Sequence, residues 1–277
     1  MARSAQRETG FAAVNGTQLY YEMLGKGHPF VLIHGGYMDR RMWDDQFHAF
    51  AEHYRVIRYD VRGFGKSELP QVPYADRQDL YDLLQCLGVE KTYLLGLSLG
   101  GIIAIDFTLE HPTMVDALIL VGSPVPGFPL ELLYTEEQLE QQRSRWAAFE
   151  KARQERNIPA LVDALMEDLT LVPSSNYPAA RQRVRNNLSE YSFAWVLDPA
   201  PRQELEPPAY ERLSEMHVPT LLMLGAEDDP RLFKDADKLE RDIVGARRVT
   251  IAETHHMPNM EKPEEFNAIL LDFLGRL

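Results

Sequence analysis

Six short runs in this chain, at 30–33, 55–59, 93–95, 117–121, 220–224 and 248–251, are apolar at nearly every position instead of at alternate ones. An alternating strand leaves one face in water, whereas a continuous apolar run has to be covered on both faces. Between these runs lie stretches with the spacing of amphipathic helices, at 41–52, 76–87 and 99–110. Strand and helix taking turns in this way predicts a parallel sheet built by right-handed crossovers. The stretch 11–24 alternates about Asn15-Gly16 and predicts a hairpin feeding an antiparallel edge. The expected fold class is therefore α/β, a mostly parallel central sheet flanked by helices.

The rhythm breaks after Val121. There G-S-P-V-P-G-F-P supplies three prolines and two glycines, and no further strand signal arrives until Thr220. From Leu130 to about Leu213 the pattern is helical, clearest in E-E-Q-L-E-Q-Q-R-S-R-W-A-A-F-E and P-A-L-V-D-A-L-M-E-D-L. This divides the chain into a core of 1–124 and 217–277 and an inserted helical cap of 125–216. A length of 277 residues accommodates one large core with such an insertion. Trp146, Phe149, Leu165, Met166, Tyr191, Phe193 and Trp195 are candidates to line an acyl or leaving-group pocket, most of them being expected to pack the interior of the cap.

A formal charge of −13 repels polyanions, and no basic run is concentrated anywhere, so nucleic acid is excluded as a partner and a small neutral or apolar one is favoured. No run of about eighteen apolar residues predicts a membrane span, and residues 1–15, with Arg3, Arg7 and Glu8, contain no apolar signal region. A cytoplasmic location is the default expectation. The single cysteine, Cys86, rules out an intrachain disulfide and, within D-L-L-Q-C-L-G-V, is expected to be buried and inert.

The strongest chemical signal is G-L-S-L-G at 96–100, which follows an apolar strand and opens an apolar helix. A turn that sharp needs glycines beside the serine and lifts Ser98 above the sheet edge. A serine hydroxyl becomes nucleophilic only when a base takes its proton. His255 and His256, in the loop after the last strand, are the candidates, with His256 preferred. The imidazole in turn needs a carboxylate, and G-A-E-D-D-P offers Asp228 and Asp229 just past an earlier strand. H-G-G-Y at 34–37 places a glycine-rich loop where amide groups can face a carbonyl oxygen. Gly36 and Leu99 are the expected donors, with the amide of Tyr37 as an alternative. The adjacent histidine pair cannot chelate in the i, i+4 manner, so neither a metal nor a cofactor is expected.

G-F-G-K-S at 63–67 ends like a phosphate-binding loop, but the spacing puts Asp60 where the pattern needs glycine. Asp60, Arg62, Gly63 and Gly65 are read instead as a structured turn with an internal ion pair.

In the order H-G-G, D-V-R-G-F-G-K-S, G-L-S-L-G-G, G-A-E-D-D and H-M-P-N-M-E-K-P, the chain resembles the α/β-hydrolase superfamily along nearly its whole length. Within it, R-V-I-R-Y-D-V-R-G-F-G-K-S and G-L-S-L-G-G look like bacterial carboxylesterases and 3-oxoadipate enol-lactonases. The resemblance implies a serine hydrolase of small carboxylic esters or lactones with Ser98, Asp228 and His256 as its triad. Carbon–carbon hydrolysis, perhydrolysis and a non-catalytic ligand receptor are the alternatives. The departure from the family is His255, where glycine is usual. If that glycine serves a special backbone angle, the loop is expected to be strained there.

Overall fold

The computed structural model describes residues 7–168 and 171–277; residues 1–6, Arg3 among them, and 169–170, inside the segment read as a cap, lie outside the described residues. An amino-terminal hairpin joins β1 (Glu8–Val14) to β2 (Thr17–Leu24) through Asn15 and Gly16, both left-handed, as a tight primed turn requires. The remaining strands are β3 (Pro29–Ile33), β4 (Arg55–Tyr59), β5 (Thr92–Leu97), β6 (Val115–Val121), β7 (Thr220–Gly225) and β8 (Arg247–Ile251). They form one sheet in the order β1-β2-β4-β3-β5-β6-β7-β8, parallel from β4 to β8 and antiparallel at the hairpin edge.

Helices α1 (Asp44–Phe50), α2 (Asp76–Cys86) and α3 (Leu99–Glu110) follow β3, β4 and β5. Between β6 and β7 come α4 (Leu130–Leu133), α5 (Glu136–Gln154), α6 (Ile158–Glu167), α7 (Pro178–Glu190), α8 (Ala194–Leu197) and α9 (Ala209–Arg212). Then α10 (Pro230–Asp242) links β7 to β8, and α11 (Pro258–Glu261) and α12 (Pro263–Leu274) close the chain. The apolar runs are covered on both faces: Phe30, Val31, Leu32 and Ile33 are all fully buried. Each such side chain contributes about 1.5–3 kcal/mol relative to exposure. Among the described residues no helix is long and apolar enough to cross a membrane.

Cys86 is exposed, against the expectation from its apolar neighbours. The period of α2 explains it. Leu80, Leu83 and Leu84 turn one face to the core, and a residue two past Leu84 points about 200° away from it.

The order of strands reverses between β3 and β5, from which the chain builds outward in opposite directions. At such a switch point the loops leaving the carboxyl ends of neighbouring strands part and leave a crevice. Ile33 pairs with Gly96, so the glycine-rich loop after β3 and the turn after β5 leave the sheet side by side.

Candidate active site

Ser98 stands between β5 and α3 with φ 52° and ψ −111°, a left-handed backbone that a residue with a side chain adopts only under constraint. The constraint is visible in its neighbours. A Cβ on Gly96 would strike the backbone of Gly100, and one on Gly100 would strike the carbonyl of Ile33. The turn is held from β6 as well, because Ser98 N–H donates to the Val121 carbonyl at 2.9 Å.

His256 and Asp228 arrive from loops after β8 and β7. Nδ1 of His256 lies 3.0 Å from Oδ1 and 3.3 Å from Oδ2 of Asp228, and both side chains are buried. An ionised carboxylate only accepts, so Nδ1 carries the proton and Nε2 keeps a free lone pair. Asp229 does something else: it caps α10 through the Arg231 N–H and pairs with Arg145 of α5 at 3.1 Å. Of the two acids, Asp228 is the one brought to the imidazole.

Burial pulls the imidazole of His256 down, but the charge and hydrogen bond of Asp228, joined by Asp229, outweigh it and leave the ring above its ordinary value.

His255 turns away from this pair, its ring between Glu227 at 3.5 Å and Glu261 at 3.6 Å. Its backbone is not left-handed, so the strain expected at this position is absent; the left-handed residue of the loop is Glu253. The loop is held by a buried carboxylate instead. Glu261 accepts from the N–H of His255 at 2.7 Å and of Ser174 at 3.0 Å, tying the histidine loop to the helical segment. In the sequence Glu261 stands only as the acid of H-M-P-N-M-E-K-P. A buried acid just inside a short helix after the histidine is the signal that marks it.

Gly122, missed in the sequence because G-S-P-V-P-G reads only as a break, sits behind the histidine. Its φ is +47°, and a Cβ there would come within 2.9 Å of Cε1 and Nδ1 of His256 and 3.0 Å of Oδ2 of Asp228. Gly122→Ala is therefore expected to lower kcat about 10²-fold, as a displacement near 1 Å does, with a stability loss of about 1–3 kcal/mol from the backbone. Steady-state rates beside thermal unfolding check this, and an unchanged kcat would overturn it.

The loop after β3 is pinned by His34. Its buried ring accepts from Val61 N–H at Nε2, 2.9 Å, and so donates from Nδ1 to the Gly35 carbonyl at 2.8 Å. Burial pulls its pKa down, consistent with that neutral tautomer. Tyr37 is left-handed, φ 62°, and its ring packs among Phe149, Tyr191, Phe193 and Trp195 of the helical segment. Leu99 opens α3, so its N–H has no acceptor within the helix.

Ser98, His256, Gly36, Tyr37 and Leu99 all line one cavity of about 230 Å³. From the helical segment, Leu165, Val172, Val184, Leu188 and Trp195 close it with an apolar wall. Leu165 and Trp195, two of the residues weighed between the cap interior and a substrate pocket, face the cavity.

The turn at 63–67 has no internal ion pair. Asp60 pairs with Arg40 at 2.8 Å and Arg62 with Asp79 at 2.7 Å, both partners lying outside the turn. Asp60 also accepts from the N–H of Lys66 at 2.8 Å, so the loop closes around its own carboxylate.

A sequence model of the alpha/beta hydrolase family matches residues 30–269. The chain is 30% identical over 287 aligned positions to the 2-hydroxy-6-oxononadienedioate/2-hydroxy-6-oxononatrienedioate hydrolase of Paraburkholderia phymatum, covering 94% of this chain and 93% of that one. It is 26% identical over 274 positions to the pimeloyl acyl-carrier protein methyl ester esterase of Vibrio vulnificus, covering 94% and 99%. An esterase from Exiguobacterium antarcticum superposes with a TM-score of 0.81 at 27% identity, over 97% of this chain and 100% of that one.

Proposed function

Since the chain belongs to the alpha/beta hydrolase family, we propose that it is a serine hydrolase of small carboxylic esters or lactones, acting through Ser98, His256 and Asp228. The observation that carries this reading is the His256–Asp228 contact of 3.0 Å beside the cavity into which Ser98 is turned. Nε2 of His256 takes the proton as Ser98 Oγ attacks the carbonyl carbon. The amides of Gly36 and Leu99 receive the oxyanion. Collapse breaks the acyl–oxygen bond, the alcohol leaves with the proton from His256, and water attacks the acyl-serine by the same route. Residues 125–216 act as a cap on a core of 1–124 and 217–277. A neutral acyl group suits the cavity, since Arg202, the one arginine in its wall among the described residues, is already paired with Asp76.

Treatment with a fluorophosphonate, followed by peptide mass mapping, tests the nucleophile. One adduct, on Ser98, together with turnover of activated short-chain esters or lactones, is expected. No adduct and no turnover would reject the reading in favour of a ligand receptor; an adduct without ester or lactone turnover would favour carbon–carbon hydrolysis.

The base must be neutral to accept a proton, and interactions with carboxylates raise the pKa of His256. The acid limb of kcat/KM is thus expected above the ordinary imidazole value of about 6.5. For stability the sign is opposite. The raised pKa contributes in full below about 6.5 and is lost as the pH climbs through the folded-state value. A pH–rate profile with its acid limb below 6 would contradict the pairing.

A further inference from the structure

A second cavity, of about 310 Å³, adjoins the first and shares Ile102, Pro124 and Arg202 with it as a common wall. Its chemistry differs. Where the first is apolar, this one is lined by Asp76, Arg77, Asp106, Arg202, Arg231 and the exposed Glu204. Most of these charges are spoken for: Arg202 pairs with Asp76, Arg77 with Glu110 and Arg231 with Asp235. Among the buried acids of the wall, Asp106 is the exception, touched by the charges of Arg77 and Arg202 but paired with neither among the described residues. It is 9% exposed, and among the described residues no donor reaches its Oδ1. Asp76 likewise presents one buried oxygen, Oδ1, without a partner. Burial pushes the Asp106 carboxyl up to about 7, as befits an acid short of donors.

The placement of Asp106 ties this chamber to the nucleophile. Ile102 and Asp106 lie four residues apart on one face of α3, and Ser98 is the N-cap of that helix, one turn before Ile102. Eight residues span about 12 Å. A buried acceptor left unpaired costs about 1–3 kcal/mol, which a donor on a bound molecule would remove.

We infer that the second chamber receives the alcohol portion of the substrate, and that this alcohol carries a hydroxyl or ammonium donor several bonds from the ester oxygen, placed to reach Asp106. The inference rests on the ester-hydrolase reading above. The acyl group stays in the apolar cavity on Ser98, and the released alcohol, protonated by His256, departs from the polar one. Because the contact lies far from the reacting carbonyl, its effect belongs mainly in KM.

The test compares initial hydrolysis rates for hexyl, 6-hydroxyhexyl, 6-aminohexyl and 2-hydroxyethyl butyrate, with the wild type, Asp106→Leu and Asp106→Asn. For the wild type, kcat/KM should be roughly tenfold higher for one or both of the long donor-bearing esters than for hexyl butyrate, the worth of one hydrogen bond. Which of the two is preferred identifies the donor as hydroxyl or ammonium. The 2-hydroxyethyl ester, too short to reach, should show no such gain. Asp106→Leu should collapse the ratio towards one, and Asp106→Asn, which keeps an acceptor oxygen, should retain part of it. Thermal unfolding of both variants shows that they remain folded. No preference in the wild type, or a preference that survives Asp106→Leu, would overturn the inference while leaving the ester-hydrolase reading intact. Inertness of all four esters would overturn the inference, and inertness of the activated esters and lactones as well would overturn both.

Discussion

Ser98→Ala should lower the turnover of an activated short-chain ester by about 10⁶-fold, the loss found when the nucleophile of a comparable triad is removed. The substitution takes away one oxygen and leaves the turn intact. The elbow is fixed by Gly96 and Gly100 and by the Ser98 N–H bond to Val121, none of which involves the side chain. Thermal unfolding should therefore change little while the rate falls. The residue of activity, about 10³-fold over water, belongs to the oxyanion donors and to binding. A variant that kept a tenth of its activity, measured on protein free of wild-type carry-over, would show that water and not the serine attacks the carbonyl.

Asp228→Asn is expected to cost about 10⁴-fold in kcat. The amide can present its N–H₂ to Nδ1 of His256, which must then accept, and the proton moves to Nε2, where it blocks the serine. The geometry survives and the tautomer does not. Asp229→Asn is the control, because that carboxylate caps α10 and pairs with the partly exposed Arg145. A pair of that kind is worth under about 1 kcal/mol, or roughly fivefold. Losing the negative charge of Asp229 should also move the acid limb of the pH–rate profile downward, since it is one of the charges that raise the pKa of His256. Equal, small losses in the two variants would sink the assignment of Asp228.

The strands were legible because burial on both faces writes itself as an unbroken apolar run. β4 is found at the residues read for it, and the other five core strands extend the readings by one or two residues at one end or, for β5, at both. The hairpin was legible because Asn15-Gly16 is chemically specialised for two left-handed residues. Side-chain partners were not legible in the same way. Asp60 meets Arg40 and Arg62 meets Asp79, contacts 20 and 17 residues apart in the chain, whereas a reading along the sequence looks for the partner nearby. His255 shows the same limit from the other side: whether a bulky residue strains a loop depends on what receives it, and Glu261 receives its backbone. Gly122 and Asp106 matter through what stands in front of them, a histidine 134 positions away and a cavity wall drawn from five parts of the chain.

The loop at 63–67 carries one further consequence. Its resemblance to a nucleotide motif is not empty, since it does enclose an anion, but that anion is the carboxylate of Asp60, fastened by Arg40 and the Lys66 amide. A phosphate arriving from solution would compete with an occupant that can never diffuse away, whose effective concentration on so short a tether is at least millimolar. The seat is reserved by the chain itself at the place where its sequence sounds most like a nucleotide receptor.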